Sequence, residues 1–258
     1  MKVTMLGCGP SQGVPVIGNQ WGNCDPSNPK NLRSRPSIVV QDSNTNILVD
    51  MSPDIRDQFL SNDISQIDSV LFTHLHYDHV AGLGELRTLS FLAKRRLEVF
   101  ATSDVLAGLQ RNAGYLFKTD KSDDDELYKP SAEARSIKYG ERFDAKGVSV
   151  LPFCQDHGIC DSAGFRFGKF AYSTDVSVLD DTAFAALEGV EVWIVDCLRN
   201  DPHPTHAHFG RTLEWIERVK PKRAIFTHMN FESDYAEMLA QCPEGVEPGY
   251  DGMVLDIH

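Results

Sequence analysis

At 258 residues, with 41% hydrophobic and 24% charged side chains, the chain has an ordinary globular composition and can bury a core without covalent staples. Its 37 acidic residues outnumber 25 basic ones for a formal charge of −12, which repels phosphate backbones and disfavours a general nucleic-acid binder. A small anionic substrate stays open, because bound metal ions invert the field locally.

The cysteines at 8, 24, 154, 160, 197 and 242 form no C-x-x-C pair and are too sparse for a disulfide scaffold. No apolar run suits a signal peptide or reaches the ~18 residues of a membrane span. The expectation is a reduced, cytoplasmic protein with no membrane attachment.

Residues 2–6 alternate like a strand and enter the turn-rich Gly7-Cys8-Gly9-Pro10-Ser11-Gln12-Gly13, whose glycine spacing fails the dinucleotide fingerprint. Residues 18–36 read as a long loop. Ser37–Gln41 and Asn46–Asp50 read as a hairpin. Pro53 suits the first turn of a helix over Asp54–Leu60. Ser69–Phe72 is a buried strand, followed by a helical pattern over Leu83–Ala93. Leu97–Ala101 is a strand and Asp104–Arg111 a helix with Ser103 as its N-cap. Asp120, Asp123, Asp124, Asp125 and Glu126 mark an acidic, solvated insertion over about 115–135.

Beyond it, Val148–Phe153, Gly164–Phe167, Phe170–Tyr172, Val192–Val195, Ala224–Phe226 and Met253–Ile257 read as strands. Asp181–Leu187 and Tyr235–Leu239 read as helices. Phe209, Leu213, Ile216 and Val219 form one face of another. Strands thus fall into two batches, over roughly 1–125 and 135–258, each interleaved with helices. Two sheets packed face to face with helices outside, in a single domain over 1–258, meet that pattern best.

The chemistry concentrates in Thr73-His74-Leu75-His76-Tyr77-Asp78-His79, where three of the chain's nine histidines and a carboxylate follow a buried strand. Imidazole and carboxylate at that density suit the coordination shell of a borderline divalent metal, and the mixed spacing can feed two ions. Three further ligand-type residues sit where predicted strands run into turns: His157 after Val150–Phe153, Asp175 after Phe170–Tyr172, and His228 after Ala224–Phe226. Open sheets assemble sites at one edge in this way. Asp50 also closes a strand, where a carboxylate can take the free ring N–H of a ligand histidine.

These motifs, in this order, resemble the metallo-β-lactamase superfamily over essentially the whole chain. The resemblance implies a four-layer αββα sandwich of the α/β class. It also implies two divalent ions, Zn or Mn with Fe an alternative, held by His74, His76 and His157 and by Asp78, His79 and His228, with Asp175 between them. The opening Gly7–Pro15 segment, Pro204-Thr205-His206 and Lys220–Met229 look like the phosphoribosyl 1,2-cyclic phosphate phosphodiesterase family. That likeness implies His206 and Asp78 as catalytic residues, with Ser11, Gln12 and His206 contacting substrate. It implies hydrolysis of a small phosphate ester or nucleotide, with no stable nucleic-acid complex. The alternatives are a tRNA 3′-processing nuclease, a glyoxalase II-like thioesterase and a non-catalytic metal carrier. In that family a separate structural zinc uses C-x-C-x-x-C and a histidine; Asn19, Trp21, Cys24 and Phe231 stand there here, so that zinc is not expected. Trp21 leaves a homodimer open.

Overall fold

The computed structural model describes residues 1–117 and 130–258. The first half contains β1 (Lys2–Gly7), β2 (Ser37–Asp42), β3 (Thr45–Val49), α1 (Ile55–Ser61), β4 (Ser69–Leu71), α2 (Tyr77–Val80), α3 (Leu86–Ala93), β5 (Leu97–Ala101), α4 (Ser103–Ala113) and β6 (Ala132–Ser136). The second contains β7 (Phe143–Ala145), β8 (Val148–Asp156), β9 (Asp161–Phe167), β10 (Phe170–Ser173), α5 (Asp181–Leu187), β11 (Val192–Asp196), α6 (Phe209–Val219), β12 (Arg223–Thr227), α7 (Tyr235–Gln241), β13 (Val246–Pro248) and β14 (Val254–Asp256).

The strands make two seven-stranded mixed sheets, ordered β14-β1-β2-β3-β4-β5-β6 and β13-β12-β11-β10-β9-β8-β7. Successive residues of the central strands point to opposite faces, and both faces are covered. Ile38, Val40, Ile47, Val49 and Leu71 face the second sheet, in one core with Phe165, Tyr172, Ile194 and Phe226. Val39, Leu48, Val70 and Phe72 face outward, under Ile55, Phe59, Leu86, Leu89, Leu106 and Leu109 of α1, α3 and α4. Covering both faces is what makes these strands read as continuous apolar runs, each buried side chain contributing about 1.5–3 kcal/mol. On the other side Ala183, Leu187, Trp215 and Met238 bring α5, α6 and α7 against the second sheet. The result is the four-layer α/β sandwich expected from the sequence.

The two batches of strands do not map one to one onto the two sheets. β14, at the end of the chain, pairs antiparallel with β1, Val3 opposite Leu255, so the last strand closes the edge of the first sheet. β6 overlaps the end of the stretch read as a solvated insertion, yet it pairs in parallel with β5 from Leu97↔Ala132 to Ala101↔Ser136. Ala, Glu and Arg carry little strand preference, so pairing and the Glu98–Arg135 ion pair at 3.0 Å decide its state. The acidic run from Asp120 to Glu126 lies outside the described residues. The short edge strands β7 and β13 also escape the sequence pattern.

Smaller differences follow from local geometry. The pattern over Leu83–Ala93 splits into a 3-10 turn over Ala81–Glu85 and α3. Thr102, not Ser103, precedes α4, and no side chain caps it. On α6 the innermost residues are Thr212 and Trp215, beside the predicted stripe. Among the described residues no helix is long and apolar enough to cross a membrane.

Candidate metal centre

β3, β4, β8, β10, β11 and β12 run in the same sense within their sheets, and the residues past their C-terminal ends converge on one edge of the sandwich. Three of these positions, Asp50 (φ 62°), Asp175 (φ 55°) and His228 (φ 61°), hold left-handed backbone without being glycine. Such conformations cost of order 1–3 kcal/mol and persist where the surrounding structure imposes them for function.

The convergence produces two overlapping groups. His74, His76, His157 and Asp175 form one, and Asp78, His79, Asp175 and His228 the other; within each, the donor atoms lie within 4.8 Å of one another. Asp175 stands between them. Its Oδ1 lies 3.8 Å from His74 Nε2 and 3.5 Å from His157 Nε2, and its Oδ2 lies 3.0 Å from His79 Nε2 and 3.4 Å from His228 Nε2. Asp78 Oδ2 approaches His79 Nε2 at 3.2 Å and His228 Nε2 at 3.4 Å. His76 Nδ1 faces His157 Nε2 at 3.2 Å. Thr174 Oγ1 donates to Asp175 Oδ2 at 2.7 Å.

Hydrogen bonds set the ring orientations from behind. Asp50 Oδ2 accepts from His79 Nδ1 at 2.7 Å, which leaves the Nε2 lone pair facing the cluster. The same carboxylate accepts the Thr73 N–H at 2.9 Å and the Thr73 hydroxyl at 2.8 Å. With that hydroxyl spent on Asp50, its oxygen takes the Nδ1 proton of His74 at 2.9 Å. His157 Nδ1 donates to the Thr205 carbonyl at 2.7 Å. In their neutral forms, the ones that bind a metal, these three histidines therefore present Nε2 lone pairs inward.

The electrostatics follow from burial and crowding. Burial pushes His74 below its ordinary range, helped by His79, and burial likewise lowers His157. For His79 burial opposes the charge, but Asp175, Asp78 and Asp50 outweigh it and raise the imidazole well above its usual value. His228 is raised to about 9 against burial, chiefly by Asp175. Burial pushes Asp175 up, yet His228, His79 and His74 hold it well below the carboxylate range. Asp78 is depressed the same way by His79 and His228.

These residues fit divalent metal. His74 Nε2 and His79 Nε2 are buried and make no hydrogen bond. Two buried carboxylates beside lone-pair-bearing imidazoles are costly without a cation to coordinate. Mixed imidazole and carboxylate donors suit Zn²⁺, Mn²⁺ or Fe²⁺.

A third group, Asp196, His206 and His228, adjoins the other two. Asp196 ends β11 with its side chain fully buried, and its Oδ2 accepts from His206 Nδ1 at 2.9 Å and from the Val176 N–H at 3.0 Å. His206 Nε2 is thereby turned inward, 4.0 Å from Asp175 Oδ1. The sequence reading missed Asp196, although it too closes a strand. It also missed Thr73 and Thr205, whose part is visible only in space.

Ser11 and Gln12 sit on an exposed turn whose base is joined to the loop carrying His228: the Cys8 carbonyl accepts from the Met229 N–H at 3.0 Å. Cys24, from the zinc-type loop of the resembled family, faces Arg33 Nη1 at 3.9 Å, and Trp21 Nε1 donates to Asn19 Oδ1 at 3.0 Å.

Comparison with known proteins agrees with the fold. A family model described as "Beta-lactamase superfamily domain" matches residues 45–229, most of the chain. A solved structure described as a new diphosphatase from the PhnP family superposes with a TM-score of 0.89 at 32% identity, covering 100% of this chain and 98% of that one. An octanoyltransferase of Porphyromonas gingivalis is 29% identical over 256 residues, 98% of this chain and 51% of its own length. A ribonuclease Z of Methanopyrus kandleri is 30% identical over 134 residues, 51% of this chain and 43% of its own. The chain thus spans about half the length of the octanoyltransferase. The matched family model, the near-complete superposition and the shared fold show that the chain belongs to the metallo-β-lactamase superfamily, in its PhnP-type branch.

Proposed function

We propose that the protein is a dinuclear-metal phosphodiesterase acting on a small cyclic phosphate or nucleotide-like phosphodiester. The observation that carries this reading is the Asp196–His206 pair, set against two donor groups that share Asp175. Divalent ions held by those groups would lower the pKa of a water towards neutrality and neutralise the non-bridging phosphate oxygens.

The chain's own residues supply the rest. His206 Nδ1–H is held by the Asp196 carboxylate, which fixes Nε2 towards the cluster as the proton-donating atom. From Nε2 the proton passes to the departing alkoxide oxygen. Asp78, kept ionised by His79 and His228, holds both rings in the second group and contributes the negative charge that a cation there needs. Asp50 holds His79 directly and His74 through Thr73.

The test is hydrolysis of bis(p-nitrophenyl) phosphate by purified protein, before and after chelation and with Zn²⁺ or Mn²⁺ restored. Loss with chelator and recovery with metal is the expected outcome. Absence of turnover with stoichiometric metal bound overturns it. A second reading, attack on an acyl group, draws on one observation: the relative named octanoyltransferase matches 98% of this chain, over 51% of its own length. Turnover of an octanoyl thioester with none of the diester would select it.

A further inference from the structure

The strap between Asp196 and α6 carries another histidine that the steps above do not use. The His206 ring centroid lies 4.8 Å from that of His157, 4.6 Å from that of His228 and 5.3 Å from that of His203. His157 and His228 are buried while His203 is half-exposed, so His203 is the member of this row that faces outward.

Its orientation is fixed. Nδ1 of His203 accepts from the Thr205 N–H at 3.4 Å and faces the Thr205 hydroxyl at 3.2 Å. With Nδ1 engaged as an acceptor, the ring proton of the neutral imidazole sits on Nε2. The carbonyl of the same threonine takes the Nδ1 proton of His157. One residue therefore sets the tautomers of two histidines flanking His206, with opposite results: a lone pair on His157 Nε2 and a proton on His203 Nε2. The strap is seated tightly. A Cβ on Gly158 (φ +83°) would come within 2.9 Å of the Pro204 carbonyl oxygen and 3.1 Å of Thr205 Cγ2. Arg199 braces it from the other end, with Nη1 on Glu232 at 3.0 Å and Nε on the Asp201 carbonyl at 3.3 Å. Burial, with His206 and Arg199 nearby, lowers the His203 pKa and favours the neutral donor.

We propose that His203 recognises the leaving-group side of the substrate, donating a hydrogen bond from Nε2 to an acceptor oxygen of a sugar-like leaving group, with Thr205 as its positioning residue. This rests on the phosphodiester reading, in which His206 protonates the leaving oxygen. A donor beside His206 and further out then meets what is attached to that oxygen.

The experiment compares the metal-loaded wild type with His203→Ala, His203→Gln and Thr205→Val on two esters, adenosine 2′,3′-cyclic phosphate and bis(p-nitrophenyl) phosphate. Loss of one hydrogen bond predicts about a ten-fold fall in kcat/KM for His203→Ala on the ribose ester, and a change under about three-fold on the aryl ester. Gln, which places an amide N–H near the Nε2 position, restores part of it, and Thr205→Val shows a smaller loss with the same selectivity. Calorimetric binding of adenosine 3′-monophosphate weakens in His203→Ala, while that of inorganic phosphate does not. Equal losses on both esters, or none on either, overturn the assignment. If the wild type turns over neither ester, the phosphodiester reading fails and takes this assignment with it.

Discussion

Asp50 Oδ2 and His79 Nδ1 are 2.7 Å apart, both fully buried, and through Thr73 the same carboxylate also governs His74. One side chain behind the site therefore orients one histidine from each donor group. Asparagine tolerates the left-handed backbone of position 50, so Asp50→Asn tests the charge without disturbing the turn. It is expected to weaken metal affinity about 10- to 100-fold, measured by competition with a chromophoric chelator. Unchanged affinity would remove Asp50 from any role in tuning the ligands.

His206 and Asp196 act later than metal binding in the proposed reaction. His206→Ala is expected to lower kcat by about 10²–10⁴, as loss of a general acid does, while metal content by elemental analysis stays at the wild-type level. Asp196→Asn should lower kcat in the same sense, again with metal retained. Metal loss in the His206 variant would reassign that residue from proton donor to ligand.

Arg33 is a stability prediction away from the chemistry. It is 1% exposed, and its guanidinium binds the Asn230 carbonyl at 3.1 Å, the Ser233 carbonyl at 2.8 Å and Asn31 Oδ1 at 3.2 Å. It ties the long N-terminal loop to the segment that follows His228. Arg33→Ala strips a charged donor from several buried acceptors and leaves a void, so it should cost about 2–4 kcal/mol in urea denaturation. A loss within experimental scatter would show that the loop is held by other contacts.

Asp251 gives a pH prediction. Burial raises its carboxyl to about 6, even though Cys8 N and Sγ and Ser34 N and Oγ all donate to it. A carboxyl raised in the folded state favours folding while protonated. That stability is present below about pH 4 and is lost as pH rises through about 6, some ~3 kcal/mol at ~1.4 kcal/mol per unit. Asp251→Asn cannot titrate, so the stability advantage of wild type over the variant should shrink between pH 4 and 7. A gap that stays constant across that window would place the native pKa at its ordinary value.

The metal-type residues are legible in the sequence because their signal is local and dense. His74, His76, Asp78 and His79 crowd one turn, and His157, Asp175 and His228 each follow an apolar run. The central strands are legible for the same reason: burial on both faces writes itself as unbroken runs such as Ile38-Val39-Val40. What the sequence determined, then, was the chemistry of the ligands and the layered class of the fold.

Only the tertiary structure decided how those pieces meet. That β14 returns to pair with β1, and that Ala132–Ser136 is an edge strand, depend on partners distant in the chain, and strand preference is mostly the preference of the neighbours. The tautomers of His79, His74, His157 and His203 are likewise set by Asp50, Thr73 and Thr205, residues whose types say nothing until they are placed behind an imidazole. Asp175 shares its two oxygens between both donor groups because the chain turns left-handed at Asp175, just past β10, and no periodicity records a backbone angle that packing imposes.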